Sequence, residues 1–92
     1  MCGDRIRIQL RANDDMIDEA RFTADACAIC IASASLLTEH IRGMRLSDAR
    51  SVDLAWLHGS LQGEPPPGRR RCATLALETL HRAIGELGVA PT

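Results

Sequence analysis

Hydrophobic and polar residues alternate strictly from Asp4 to Arg11. Ile6, Ile8 and Leu10 fall on one face, with Arg5, Arg7, Gln9 and Arg11 on the other. A period of two predicts a half-buried strand. Ala12 to Asp15 is turn chemistry, because Asn and Asp hydrogen-bond their own backbone and tolerate left-handed conformations. The period of two resumes with Met16, Ala20, Phe22 and Ala24 on one face, so Asp4 to Asp25 reads as an antiparallel hairpin.

After Cys27 the spacing becomes helical. Ile29, Ser33, Leu36, His40 and Met44 line up, with Leu37 and Ile41 beside them and Gly43 as a stop. Ser47 is the expected N-cap of one shorter helix through Gly59, with Asp48 in its first turn. Gly59 to Arg71, which carries three consecutive prolines, is the expected loop. A last helix is predicted from about Cys72 to Leu87, with an apolar stripe of Ala73, Ala76, Leu80, Ile84 and Leu87; Gly88 and Pro91 end it. Two strands and three helices, segregated rather than alternating, predict an α+β domain.

Composition narrows the chemistry. With 92 residues the chain makes one small domain with a thin stability margin. One Phe, one Trp and no Tyr leave a core of Leu, Ile and Ala, which a bound metal would help to stabilise. Eleven basic residues against twelve acidic ones predict no general affinity for nucleic acid or an anionic membrane. Every basic residue among those eleven is Arg, so no lysine Schiff-base or general-base mechanism is available. There is no apolar run long enough to span a membrane and no apolar core in "MCGDRIR", so a cytoplasmic protein with reduced cysteines is expected. In that compartment clustered cysteines point to metal binding or catalysis before disulfides.

Cys2 opens the first strand, Cys27 joins the second strand to the long helix, and Cys72 enters the last helix. A hairpin brings the start of its first strand and the end of its second to one end of the sheet. Asp4, two residues after Cys2, shares its strand face. Three thiolates and a carboxylate there would suit tetrahedral zinc or an iron–sulfur group. The competing reading is that the cysteines are ordinary buried residues, and the long gaps match no short zinc-finger pattern.

The motifs decide between these. C-G-D at Cys2–Asp4, A-R-F at Ala20–Phe22 before a cysteine, "IASAS" from Ile31 and "CATLA" from Cys72 together resemble the iron–sulfur cluster assembly scaffold family of IscU, SufU and the NifU N-terminal domain. The resemblance covers nearly the whole chain, and "CATLA" and "ASAS" point to its SufU branch. It implies a SufE/NifU-like α+β fold, a hairpin packed against a helical layer. It implies Cys2, Asp4, Cys27 and Cys72 as ligands of iron or a [2Fe-2S] cluster, with zinc in the resting state. Cys72 would accept sulfur from a cysteine desulfurase, and acceptor apoproteins would receive the cluster. The resemblance thus implies a carrier rather than an enzyme. The alternatives are a zinc-dependent sulfurtransferase of SufU type and a degenerate domain whose zinc is structural only.

Departures from the family pattern qualify this. Residues 1–92 are expected to form a single NifU-like domain that lacks the family's N-terminal helix and first strand. An insertion usual in SufU is missing, and Arg71 stands where IscU has histidine before its last cysteine. "PPPGR" (Pro65 to Arg69) keeps only prolines and a basic residue of the IscU chaperone segment, which weighs against a dedicated chaperone. Cys30 stands where relatives have serine and is expected to be a bystander. His40, His58 and His81 share no motif and are expected to be surface or helix-end residues rather than ligands.

Overall fold

A computed structural model describes residues 5–61, 63 and 70–89. Cys2, Asp4, the prolines at 65–67, Arg69 and Pro91 lie outside the described residues. Strands β1 (Arg5–Asn13) and β2 (Met16–Asp25) form the expected antiparallel hairpin. Asp14 and Asp15 make its two-residue turn, with φ of 54° and 71°. Positive φ at both central residues is what a hairpin turn of the I′ type demands, and Asp tolerates it.

The register pairs Arg5 with Asp25 and Arg11 with Glu19, then shifts so that Ala12 faces Ile17. Asp18 is therefore the extra residue of a β-bulge, and every side chain on the turn side of it changes face. This corrects the predicted inward set: Met16 is exposed and Ile17 is completely buried, while Ala20 stays inward as expected. Ile17 donates its N–H to the Met44 carbonyl at 2.8 Å, and its own carbonyl accepts from Gly43 N–H at 2.7 Å. Leu46 N–H donates to the Asp15 carbonyl at 2.9 Å. Gly43, at φ 85°, gives the chain the left-handed turn it needs to make these bonds.

Helix α1 (Ala28–Ile41) buries Cys30, Ser33, Ala34, Leu37, Thr38 and Ile41. Of the predicted stripe, Ser33 and the flanking Leu37 and Ile41 are buried, whereas Ile29, Leu36, His40 and Met44 are only half-buried. The expected single middle helix is two helices, α2 (Leu46–Arg50) and α3 (Leu54–Ser60). Arg45 rather than Ser47 is at the N-cap of α2, and Asp53 caps α3 by accepting the Trp56 N–H at 2.9 Å.

The last helix, α4 (Arg70–Val89), begins two residues before Cys72 and continues past Gly88. Its stripe of Ala73, Ala76, Leu80 and Ile84 is completely buried, as predicted; the side chain of Leu87 lies outside the described part. This stripe meets Leu37 and Ile41 of α1 and Ile8, Ile17 and Ala20 of the hairpin in one core. His81 Nε2 donates to the Val52 carbonyl at 2.9 Å and ties α4 to the link between α2 and α3. The hairpin forms one layer and the helices the other, the α+β arrangement expected from the sequence. None of the helices among the described residues is long and apolar enough to cross a membrane.

Candidate metal centre

The hairpin register places the start of β1 and the end of β2 side by side. Two residues beyond β2, Cys27 occupies the N-cap of α1 in extended backbone. Cys30 follows one turn later on the inner face, and Cys72, in the first turn of α4, reaches the same spot from a different element. Cys27 Sγ and Cys72 Sγ are 3.1 Å apart across 45 residues of sequence. The sulfurs of Cys27, Cys30 and Cys72 all lie within 4.8 Å of one another. A disulfide would bring two sulfurs to about 2.05 Å, so these are thiols in contact.

Cys27 is half-buried, whereas Cys30 and Cys72 are buried. The Cys27 thiol is pulled from 9.0 to about 7, chiefly by its hydrogen bond with Cys72. Burial acts the other way, and the backbone of Cys30, the Cys30 thiol and the backbone of Ile29 each lower it further. Cys27 makes no formed side-chain capping bond. The Ile29 and Cys30 amides therefore act as dipoles at the helix N-terminus, favouring a thiolate there. In the metal-free protein, iodoacetamide should modify Cys27 with a half-maximal rate near pH 7. An ordinary cysteine reaches that point near about 8.5. Peptide mass mapping across pH checks this, and a midpoint at the ordinary value would mean that the Cys72 contact does not hold in solution.

The donor set fits a soft, thiophilic metal. A zinc–sulfur bond of about 2.3 Å in tetrahedral geometry spaces the sulfurs by about 3.8 Å. The observed contacts, from 3.1 Å to no more than 4.8 Å, bracket that spacing. Thiolates select zinc and iron–sulfur groups over hard cations such as magnesium or calcium.

Of the four residues chosen from sequence, the structure brings Cys27 and Cys72 together, while Cys2 and Asp4 lie outside the described residues. It adds Cys30, whose sulfur joins the cluster although the sequence reading set it aside. Among the described residues no histidine belongs to this group. His40 instead stacks on Trp56 with ring centroids 4.0 Å apart.

The NifU-like N terminal domain family matches residues 1–89 of the chain. The bifunctional protein NifU/MnmA of Rubrobacter xylanophilus is 41% identical over 84 residues, which are 90% of this chain and 17% of that protein. The zinc-dependent sulfurtransferase SufU of Bacillus subtilis is 31% identical, over 92% of this chain and 69% of that one. The iron–sulfur cluster assembly scaffold protein IscU of Escherichia coli K12 is 35% identical, with 92% and 66% covered. A crystal structure of a hypothetical protein superposes with a TM-score of 0.67 at 26% identity, covering 91% of this chain and 74% of that one. The three named relatives are thus longer than this chain. With the cysteine cluster at the junction of β2, α1 and α4, these matches establish that the chain belongs to the family of NifU-like N-terminal domains.

Proposed function

We propose that this chain is a scaffold for iron–sulfur cluster assembly. Cys2, Asp4, Cys27 and Cys72 hold iron or a [2Fe-2S] cluster as cargo, and zinc occupies these residues at rest. Cys72 accepts sulfur from a cysteine desulfurase, and acceptor apoproteins take the finished cluster. The observation that carries this reading is the 3.1 Å contact between Cys27 and Cys72, which unites two of the four residues from opposite halves of the chain. Reduced thiols suit the cytoplasm. A mixed thiolate and carboxylate shell suits a carrier, because the harder oxygen ligand is less committed to iron than sulfur is.

A second reading, a zinc-dependent sulfurtransferase, draws on the match to SufU and on the all-thiol cluster of the described residues. Anaerobic purification followed by metal and acid-labile sulfide analysis separates the two. Iron with sulfide supports the scaffold. Zinc alone, with faster turnover of a cysteine desulfurase, supports the sulfurtransferase; zinc with no such effect, and no cluster formed on anaerobic reconstitution with iron and sulfide, sinks both.

Asp4 gives the scaffold reading a directional test. A carboxylate is the weakest iron ligand of the four, so its dissociation and protonation open the exit route. Asp4→Ala should hold a reconstituted cluster longer than the wild-type protein and transfer it more slowly. The decay of visible absorbance after anaerobic reconstitution measures this. Faster decay in the variant would make Asp4 an ordinary stabilising ligand.

A further inference from the structure

The proposed ligands already fill four positions, yet the described structure places a further thiol beside two of them, Cys27 and Cys72. Cys30 is completely buried, and its sulfur lies within 4.8 Å of those of both Cys27 and Cys72. A tetrahedral site takes four donors. With Cys2, Asp4, Cys27 and Cys72, Cys30 makes a fifth candidate, so one donor is always in surplus.

The placement of the three described thiols says which one can leave. Cys27 and Cys30 sit one turn apart at the start of α1, fixed to one helix. Cys72 belongs to the first turn of α4, next to the exposed Arg70 and Arg71, and is itself only 6% exposed. A buried thiol cannot attack a sulfur donor on another protein until its turn opens. We infer that Cys30 is a relief ligand: it takes the metal position of Cys72 and so frees Cys72 to react while the metal stays on α1.

In the exchange Cys30 gives up its proton and forms the sulfur–metal bond as Cys72 gives up its own. The proton ends on Cys72 or in solvent, no electrons change hands, and thiolate replaces thiolate. The two arrangements therefore lie close in free energy. The value of the exchange for sulfur uptake rests on the proposed function. The exchange itself takes its count of donors from the same ligand set, and its test uses only zinc and an alkylating agent.

Cys30→Ser and Cys72→Ser should each weaken zinc binding by less than about tenfold, because one thiol covers for the other; the double variant should lose more than about a hundredfold. Ser33, buried on the same face one turn on, leaves its Oγ without a hydrogen-bond partner among the described residues, so a melting curve of Cys30→Ser accompanies the zinc titration. If Cys72→Ser alone loses zinc as completely as the double variant, Cys30 does not serve as a ligand and the inference fails. A second measurement keeps Cys72 intact. In zinc-loaded wild-type protein, iodoacetamide should modify Cys72 and spare Cys27 and Cys30. In zinc-loaded Cys30→Ser, Cys72 should be protected. Equal labelling of Cys72 in the two proteins overturns the inference, whatever a desulfurase assay shows.

Discussion

Cys72→Ser should bring sulfur uptake from a cysteine desulfurase down to background. In the proposed transfer, the Cys72 thiolate attacks the outer sulfur of the desulfurase persulfide. A new sulfur–sulfur bond forms on Cys72, and the desulfurase cysteine leaves as a thiolate. Serine nearly matches the volume but offers no sulfur to make that bond, so nothing short of a different acceptor can rescue the step. The readout is the mass of the Cys72 peptide after incubation with desulfurase and cysteine under anaerobic conditions. Wild type should gain one sulfur atom and Cys72→Ser none. Cys30→Ser should still gain it, more slowly if Cys72 then stays on the metal. Sulfur found on Cys27 in the Cys72→Ser protein would move the acceptor role to α1 and remove the reason for α4 to open.

Leu80→Ala should lower the melting temperature of the metal-free protein by tens of degrees. Leu80 is completely buried in the α4 stripe, within the core shared by both layers. Truncating such a leucine costs about 2–5 kcal/mol, because transfer free energy is lost and a cavity is left. In a domain of this size each kcal/mol moves the midpoint by about 4–8 °C. A margin of about 5–15 kcal/mol, with small domains at the low end, leaves little in reserve. Zinc at about a hundred times its Kd adds about 2.7 kcal/mol to the folded state, so it should recover much of the loss. Circular dichroism melts with and without zinc measure both effects. A variant that melts within a few degrees of wild type would show that α4 is not integral to the core.

The pattern of the chain predicts β1 and the stripe of α4 because each has one wet face and one dry face, and Asn and Asp chemistry predicts the turn. It misses wherever that contrast is blurred. At the bulge two apolar residues, Met16 and Ile17, precede two polar ones, Asp18 and Glu19, so the alternation alone does not say which of the apolar pair turns inward. In α1, small and apolar residues surround most of the helix, and two stripes one residue apart compete. The predicted stripe takes in the buried Ser33, with Leu37 and Ile41 beside it, and passes over Cys30, Ala34 and Thr38 on the same buried side. Cys30 reads as a bystander because relatives carry serine there, whereas the structure puts its sulfur in the cluster. Ser47 suits a cap yet lies inside α2, and Asp53 caps the separate helix α3. The meeting of Cys27 with Cys72 is legible from their places at the ends of elements and from the family motifs, since a gap of 45 residues carries no periodicity of its own.

The backbone bonds that tie Ile17 to Gly43 and Met44 lie at one end of the hairpin, and Cys27 follows the other. From Ile17 to Asp25 the strand spans about 27 Å, at about 3.4 Å per residue. The two ends are therefore fastened by different means, main-chain bonds at the turn and sulfur at the mouth. Removing metal should act on them unequally in amide hydrogen exchange. Protection at Ile17 and Gly43 persists, while the amides opening α1 and α4 exchange through local unfolding that need not reach the rest of the domain. A carrier built this way can loosen its grip on cargo without giving up its fold.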